Sequence, residues 1–134
     1  MNSLQRTTFV AVIFFCVVLC AEAQTTTRTS PIYGSGANND DAKAILDRVA
    51  QDSGADKLII IIARQGGRES SSLNWRRLKT ATDYLENTRA IPKSRLVTAA
   101  GTRVHGSGRL EIYLDGKLAV VFTFRRNHDF APEP

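Results

Sequence analysis

The sequence predicts an α/β (α+β) domain: a two-layer sandwich with a mixed β-sheet and two helices on one face. Three observations carry that expectation. An amphipathic helical stretch precedes the β-branched run Leu58-Ile59-Ile60-Ile61-Ile62. A second amphipathic stretch separates that run from the strand-like Arg95–Ala99. Two further strand patterns flank Asp115-Gly116, a strong two-residue hairpin signal. Helix–strand pairs followed by a hairpin pack as two layers, in the order βαβαββ with the C-terminal hairpin closing the chain.

The N-terminus reads as a signal peptide over residues 1–23. Arg6 supplies the positive charge, Phe9–Leu19 is apolar and uncharged, and Ala21-Glu22-Ala23 places small residues where a signal peptidase reads them. Cleavage after Ala23 makes Gln24 the first residue of the mature chain. The apolar run is too short to cross a hydrocarbon core of about 30 Å as a helix. No membrane span is therefore expected after cleavage. Cys16 and Cys20 are the chain's two cysteines and both lie in this segment. Cys20 invites a lipoprotein reading, but Leu19 stands where a lipobox has a small residue. The mature chain then has no cysteine and no disulfide, although export leads to a compartment that permits them. The predicted location is the periplasm or cell envelope, with release from the cell as the alternative.

Residues 24–38 are rich in Thr, Ser, Gly and Asn and read as a flexible leader, with Ile32-Tyr33 able to pair as an edge strand. The first helix begins at Asn39 or Asp40. Ala42, Ile45, Leu46, Val49 and Ala50 make its apolar face and Gly54 its end. Lys57–Ala63 is a strand buried on both faces, or a central strand covered on one. Gln65-Gly66-Gly67-Arg68 and Ser70-Ser71-Ser72 form a loop. The second helix covers Leu73–Asn87, its apolar stripe being Trp75, Leu78, Ala81 or Thr82, and Leu85, and Pro92 blocks continuation. After Arg95–Ala99, a loop with Gly101, Gly106 and Gly108 leads to a half-buried strand through Leu110, Ile112 and Leu114, and the hairpin returns through Leu118–Phe124. The predicted domain is 39–126, with 127–134 a disordered tail.

From Asp40 to Leu114 the order and spacing resemble the OmpA-like, peptidoglycan-associated domain family. The matching features are Leu58–Ile62 running into Gly66-Gly67, Arg77 before Ala81 and Tyr84-Leu85, Ile91 with Arg95-Leu96-Val97, Gly101, and Arg109-Leu110-Glu111-Ile112. The resemblance implies a non-enzymatic envelope module that binds peptidoglycan. In wall-binding members an Asp in Gly-His-Thr-Asp and a helical Arg hold the zwitterionic end of the peptide stem. A carboxylate meets the ammonium and a guanidinium forks onto the carboxylate. Arg77 matches that Arg. The strand here ends Ile62-Ala63-Arg64-Gln65, without His or Asp, and Glu69 is the only carboxylate of the loop. The implied recognition is therefore altered or degraded.

The net charge is +5, compatible with an anionic partner. Arg64, Arg68, Arg76 and Arg77 lie close along the predicted loop and helix start, a basic rim suited to peptidoglycan or another anionic envelope polymer, with Glu69 beside it. A protein partner is the alternative, with the Leu118–Phe124 strand as an exposed edge for strand addition. A small hydrolase is more remote: in Val104-His105-Gly106-Ser107-Gly108 the serine precedes a strand, whereas a nucleophile elbow needs a strand-to-helix turn. His105 and His128 without cysteine make no zinc motif. No nucleotide loop and no interleaved aromatics of a single-strand nucleic-acid binder are present. No catalytic group, metal or cofactor is expected, and Trp75, Phe122 and Phe124 read as core or interface residues.

Overall fold

The computed structural model describes residues 30–35 and 39–129. The predicted signal segment, most of the leader and residues 130–134 lie outside them. Five strands and two helices follow one another as β1 (Ile32–Ser35), α1 (Asn39–Ser53), β2 (Ile59–Arg64), α2 (Ser71–Asp83), β3 (Leu96–Ala100), β4 (Arg109–Leu114) and β5 (Lys117–Thr123). The strands make one mixed sheet in the order β1-β5-β4-β2-β3. Pairs β1/β5 and β2/β3 are parallel, whereas β4 runs antiparallel to both β2 and β5.

Local chemistry explains each element. Asp40 and Asp41 sit in the first turn of α1, where carboxylates complement the helix dipole. Ala42, Leu46 and Val49 are buried along one face, with Ile45 and Ala50 packed beside them. In β2 exposure alternates, so Ile59, Ile61 and Ala63 point into the core and Ile60, Ile62 and Arg64 to the other face. The Ser70 hydroxyl caps α2 by accepting from Leu73 N at 3.2 Å. Both helices cover the same sheet face. The core joins their apolar stripes to Ile59, Ile61, Leu110, Ile112, Val120, Phe122 and Phe124.

The second helix departs from its expected form. Its last turn widens into a π-turn over Tyr84–Thr88, closed by Arg89 N donating to Tyr84 O. Tyr84 and Leu85, at its start, are buried in the core. Asp47 of α1 accepts from the Tyr84 hydroxyl at 2.7 Å and from Arg89 Nε at 2.6 Å. Trp75, expected on the apolar stripe, is 56% exposed. The stripe instead runs through Leu73, Leu78 and Ala81, and Trp75 lies about 100° around the helix from its neighbours Asn74 and Arg76.

Two other expectations change. Leu118–Phe124 is not an edge: β5 lies between β1 and β4. The strand Ile32–Ser35, placed in the leader, pairs with Val120–Thr123 and covers it, leaving β1 and β3 as the edges. The ordered domain also extends beyond residue 126. Asn127, His128 and Asp129 dock on α2 and its preceding loop, so the chain from 127 to 129 is not a loose tail.

Candidate functional site

Strands β2, β3 and β5 all end at one pole of the sheet, where β4 begins. Three connections meet there: residues 65–70 leading to α2, residues 101–108 leading to β4, and residues 124–129 leaving β5. They are stitched together by backbone bonds. Gly67 N donates to Gly106 O at 3.1 Å, Val104 N to Gln65 O at 2.8 Å, and Phe124 N to Gly108 O at 3.1 Å.

Glu69 is the hub of this pole. Its Oε2 accepts from Gly66 N at 3.0 Å and Gly108 N at 2.9 Å, and its Oε1 from Asn127 N at 3.1 Å. Each of the three connections thus donates one backbone N–H to the same carboxylate. Arg77 completes it as a bidentate fork, Nη1 to Oε2 at 2.8 Å and Nη2 to Oε1 at 2.9 Å. Both side chains are 1% exposed. The remaining Arg77 donors turn to the C-terminal connection: Nε donates to His128 O at 2.9 Å and Nη2 to His128 O at 2.5 Å. The guanidinium carbon lies 4.2 Å from the centroid of the Phe124 ring.

A buried charge pair survives only when its polar valences are filled, and this one is filled on every side. Burial by itself would raise the Glu69 carboxyl. The bonds from Arg77, Asn127 and Gly66, with the Arg77 charge, outweigh it and bring the pKa down to about 2. Gly108 is required by this crowding. A Cβ there would fall within 2.5 Å of Arg77 Nη1 and 2.9 Å of Arg64 O.

The residues predicted as one basic rim separate. Arg77 is buried against Glu69. Arg76 is exposed and its Nε pairs with Asp129 Oδ2 at 2.8 Å. Arg64 points to the opposite sheet face, where its Nε and Arg109 Nε each lie 2.8 Å from Glu111 Oε1. Burial would raise Glu111, but Arg64, Arg109 and the Tyr113 hydroxyl hold it below the usual carboxylate range. Arg68 is exposed on the first connection. Of the five residues proposed from the sequence, only Glu69 and Arg77 touch.

Sequence reasoning missed Gly108, Asn127 and His128 as parts of the hub, and Arg103, Arg125 and Arg126 as parts of the pole. The last three are exposed, as is His105. Arg103 Nη1 donates to Gly67 O at 3.0 Å, a bond that leaves its charge without a carboxylate. Arg68, Arg125 and Arg126 also have no carboxylate partner among the described residues. Clusters of His, Cys, Asp and Glu able to hold a metal are absent among the described residues, and none of the described helices is long and apolar enough to cross a membrane.

Comparison with protein-family models, with curated proteins and with solved structures returns no match.

Proposed function

We propose that the chain is an exported, non-enzymatic module of the cell envelope that binds anionic polymer, peptidoglycan included, through the exposed cations of the three-connection pole. The export half of the reading rests on Arg6, the Phe9–Leu19 run and Ala21-Glu22-Ala23. The binding half rests on one observation: the Glu69–Arg77 pair consumes both groups internally. In the OmpA-like family that the sequence resembles, the helical arginine receives a ligand carboxylate. Here the fork that Arg77 would offer is filled by Glu69, and its other donors by His128 O. A zwitterionic stem would have to displace a carboxylate held by five N–H donors, three from the backbone and two from Arg77.

What remains for a ligand is the exposed set Arg68, Arg103, Arg125 and Arg126, held on connections that Glu69 locks together. Exposed cations of this kind attract phosphate or carboxylate polymers without reading their sequence or stereochemistry. Such attraction is screened by salt.

Sedimentation with purified peptidoglycan sacculi tests the proposal. Wild-type protein should pellet at low salt and be released by about 0.5 M salt, where the Debye length falls to about 4 Å. The variant Arg125→Ala/Arg126→Ala should pellet less at low salt. Salt-resistant pelleting, or no pelleting at low salt, would overturn it.

A further inference from the structure

Among the described residues strand β3 is an edge of the sheet, paired only with β2. Natural edges are commonly blunted by charges, prolines or a covering element. Leu96-Val97-Thr98-Ala99-Ala100 has no charge and no proline, its last four residues are exposed, and Val97 is 44% exposed. Gly101 N donates to Ala63 O at 2.8 Å. Backbone groups alternate sides along a strand, so Val97 and Ala99 also turn toward β2, and the N–H and C=O of Thr98 and Ala100 face outward.

A groove of about 400 Å³ runs beside this edge on the helix side, lined by Trp75, Leu78, Lys79, Thr82 and Thr98 among others. Its main apolar surface is the exposed Trp75 indole. The edge is bracketed by cations. Lys93 and Arg95 precede it, and Arg95 spends its donors on the carbonyls of Lys57 and Ser53. Arg103 follows it and is bonded to Gly67 O. None of these three has a carboxylate partner among the described residues.

We infer that the outer edge of β3, with the Trp75 groove, is a strand-addition site for an extended segment of a partner protein that has β-branched residues at its centre and acidic residues at both ends. Main-chain bonds to Thr98 and Ala100 hold the segment, and alternate side chains enter the groove and lie over Val97. The acidic ends meet Lys93 and Arg95 on one side and Arg103 on the other. A second copy of this chain is the less suitable occupant. Antiparallel self-pairing centred on Thr98 would set Lys93 of each copy against Arg103 of the other, and like charges placed opposite are destabilising. This site shares Arg103 with the anionic-polymer pole, but it is built on the β3 edge and the Trp75 groove and does not depend on that reading.

The probe is a fluorescein-labelled peptide, Glu-Glu-Val-Thr-Val-Thr-Val-Glu-Glu, titrated with the purified chain and followed by anisotropy. Its counterpart with lysine in place of glutamate is the control. The acidic peptide should bind with a micromolar Kd and quench or shift Trp75 emission, and the lysine peptide should not bind. Thr98→Pro removes an outward N–H, a change that edge strands tolerate, and should weaken binding at least about tenfold. Trp75→Ala leaves the backbone intact and should weaken it by about fivefold with the melting temperature preserved. If Thr98→Pro does not fold, Trp75→Ala decides. Absence of binding, equal binding of the lysine peptide, or affinity unmoved by the variants overturns the inference. So does a dimer in sedimentation equilibrium that Trp75→Ala dissociates, since the second copy would then own the edge.

Discussion

Glu69 acts as both a charge and an acceptor for three main-chain amides, and the two roles separate under mutation. Glu69→Gln removes the charge and leaves Arg77 buried without a counter-ion, a loss of about 3–5 kcal/mol. The pKa gives a similar size. A glutamate ordinarily titrating at 4.5 and held at about 2 when folded contributes on the order of 3 kcal/mol. The sign follows from the lowered folded value. The contribution is complete above pH 4.5 and drains away as pH falls from 4.5 toward 2. Urea unfolding of the wild type at pH 7, 4 and 3 should show that decline, and Glu69→Gln should be flatter over the same range. A wild type as stable at pH 3 as at pH 7 would mean that the pair contributes nothing to folding. Ordinary buried pairs can be replaced by two apolar residues at little cost. Glu69→Leu/Arg77→Leu should not be rescued in this way, because the amides of Gly66, Gly108 and Asn127 would lose their acceptor, and each buried orphan costs about 1–3 kcal/mol. Recovery of wild-type stability in the double variant would show that water replaces the carboxylate.

Among the elements, the β4–β5 hairpin shows how short-range chemistry sets long-range pairing. Asp115 and Gly116 have φ of 48° and 76°, the positive pair of a type I′ turn. The Asp115 carboxylate also accepts from Leu58 N at 2.9 Å, and its own N–H donates to Leu58 O. The turn is thereby tied to the entry of β2. Gly116→Val should cost about 1–2 kcal/mol, because a β-branched residue resists the left-handed region. Gly116→Asn should cost less. Equal melting temperatures for wild type and Gly116→Val would contradict the turn assignment. The hairpin was legible from two residues because turn chemistry is local. The extent of α1 and the presence of β2 were legible for the same reason, through first-turn aspartates and an uninterrupted β-branched run, although β2 spans Ile59–Arg64 rather than Lys57–Ala63. The place of β5 within the sheet was not legible, since it depends on Ile32–Ser35 crossing from the far end of the chain to cover it. Trp75 was misread because its i+3 spacing to Leu78 placed it on the stripe, whereas the buried face of the helix runs through Leu73, Asn74, Arg77, Leu78 and Ala81.

Over the whole molecule, stability and the candidate binding surface converge on the same pole. The family resemblance singled out Arg77 and left Glu69 as the loop's one carboxylate, yet their pairing depends on backbone groups that no side-chain pattern announces. Asn127 contributes its N–H and His128 its carbonyl, both backbone groups, and the left-handed φ of 56° at position 127 is one that asparagine tolerates. A tail with few apolar residues therefore reads as loose in sequence, while its described part, residues 127–129, docks in the structure. Its docking has a measurable consequence. Ending the chain after Arg126 removes the Asn127 donor to Glu69 and the His128 acceptor of Arg77. With fewer donors, the Glu69 pKa should rise toward its ordinary value, since hydrogen bonds to the charged form are what hold it down. The truncated chain should lose about 1–3 kcal/mol at pH 7. Its acid-unfolding midpoint should also move to higher pH than that of the full chain. Arg125 and Arg126 are retained, so any loss of sacculus binding in this variant would come from the lost anchoring of the 124–126 connection rather than from lost charge. Unchanged stability and an unchanged acid midpoint would show that residues 127–129 rest on the pole without supporting it. The weight of the hub would then fall on Gly66, Gly108 and Arg77 alone.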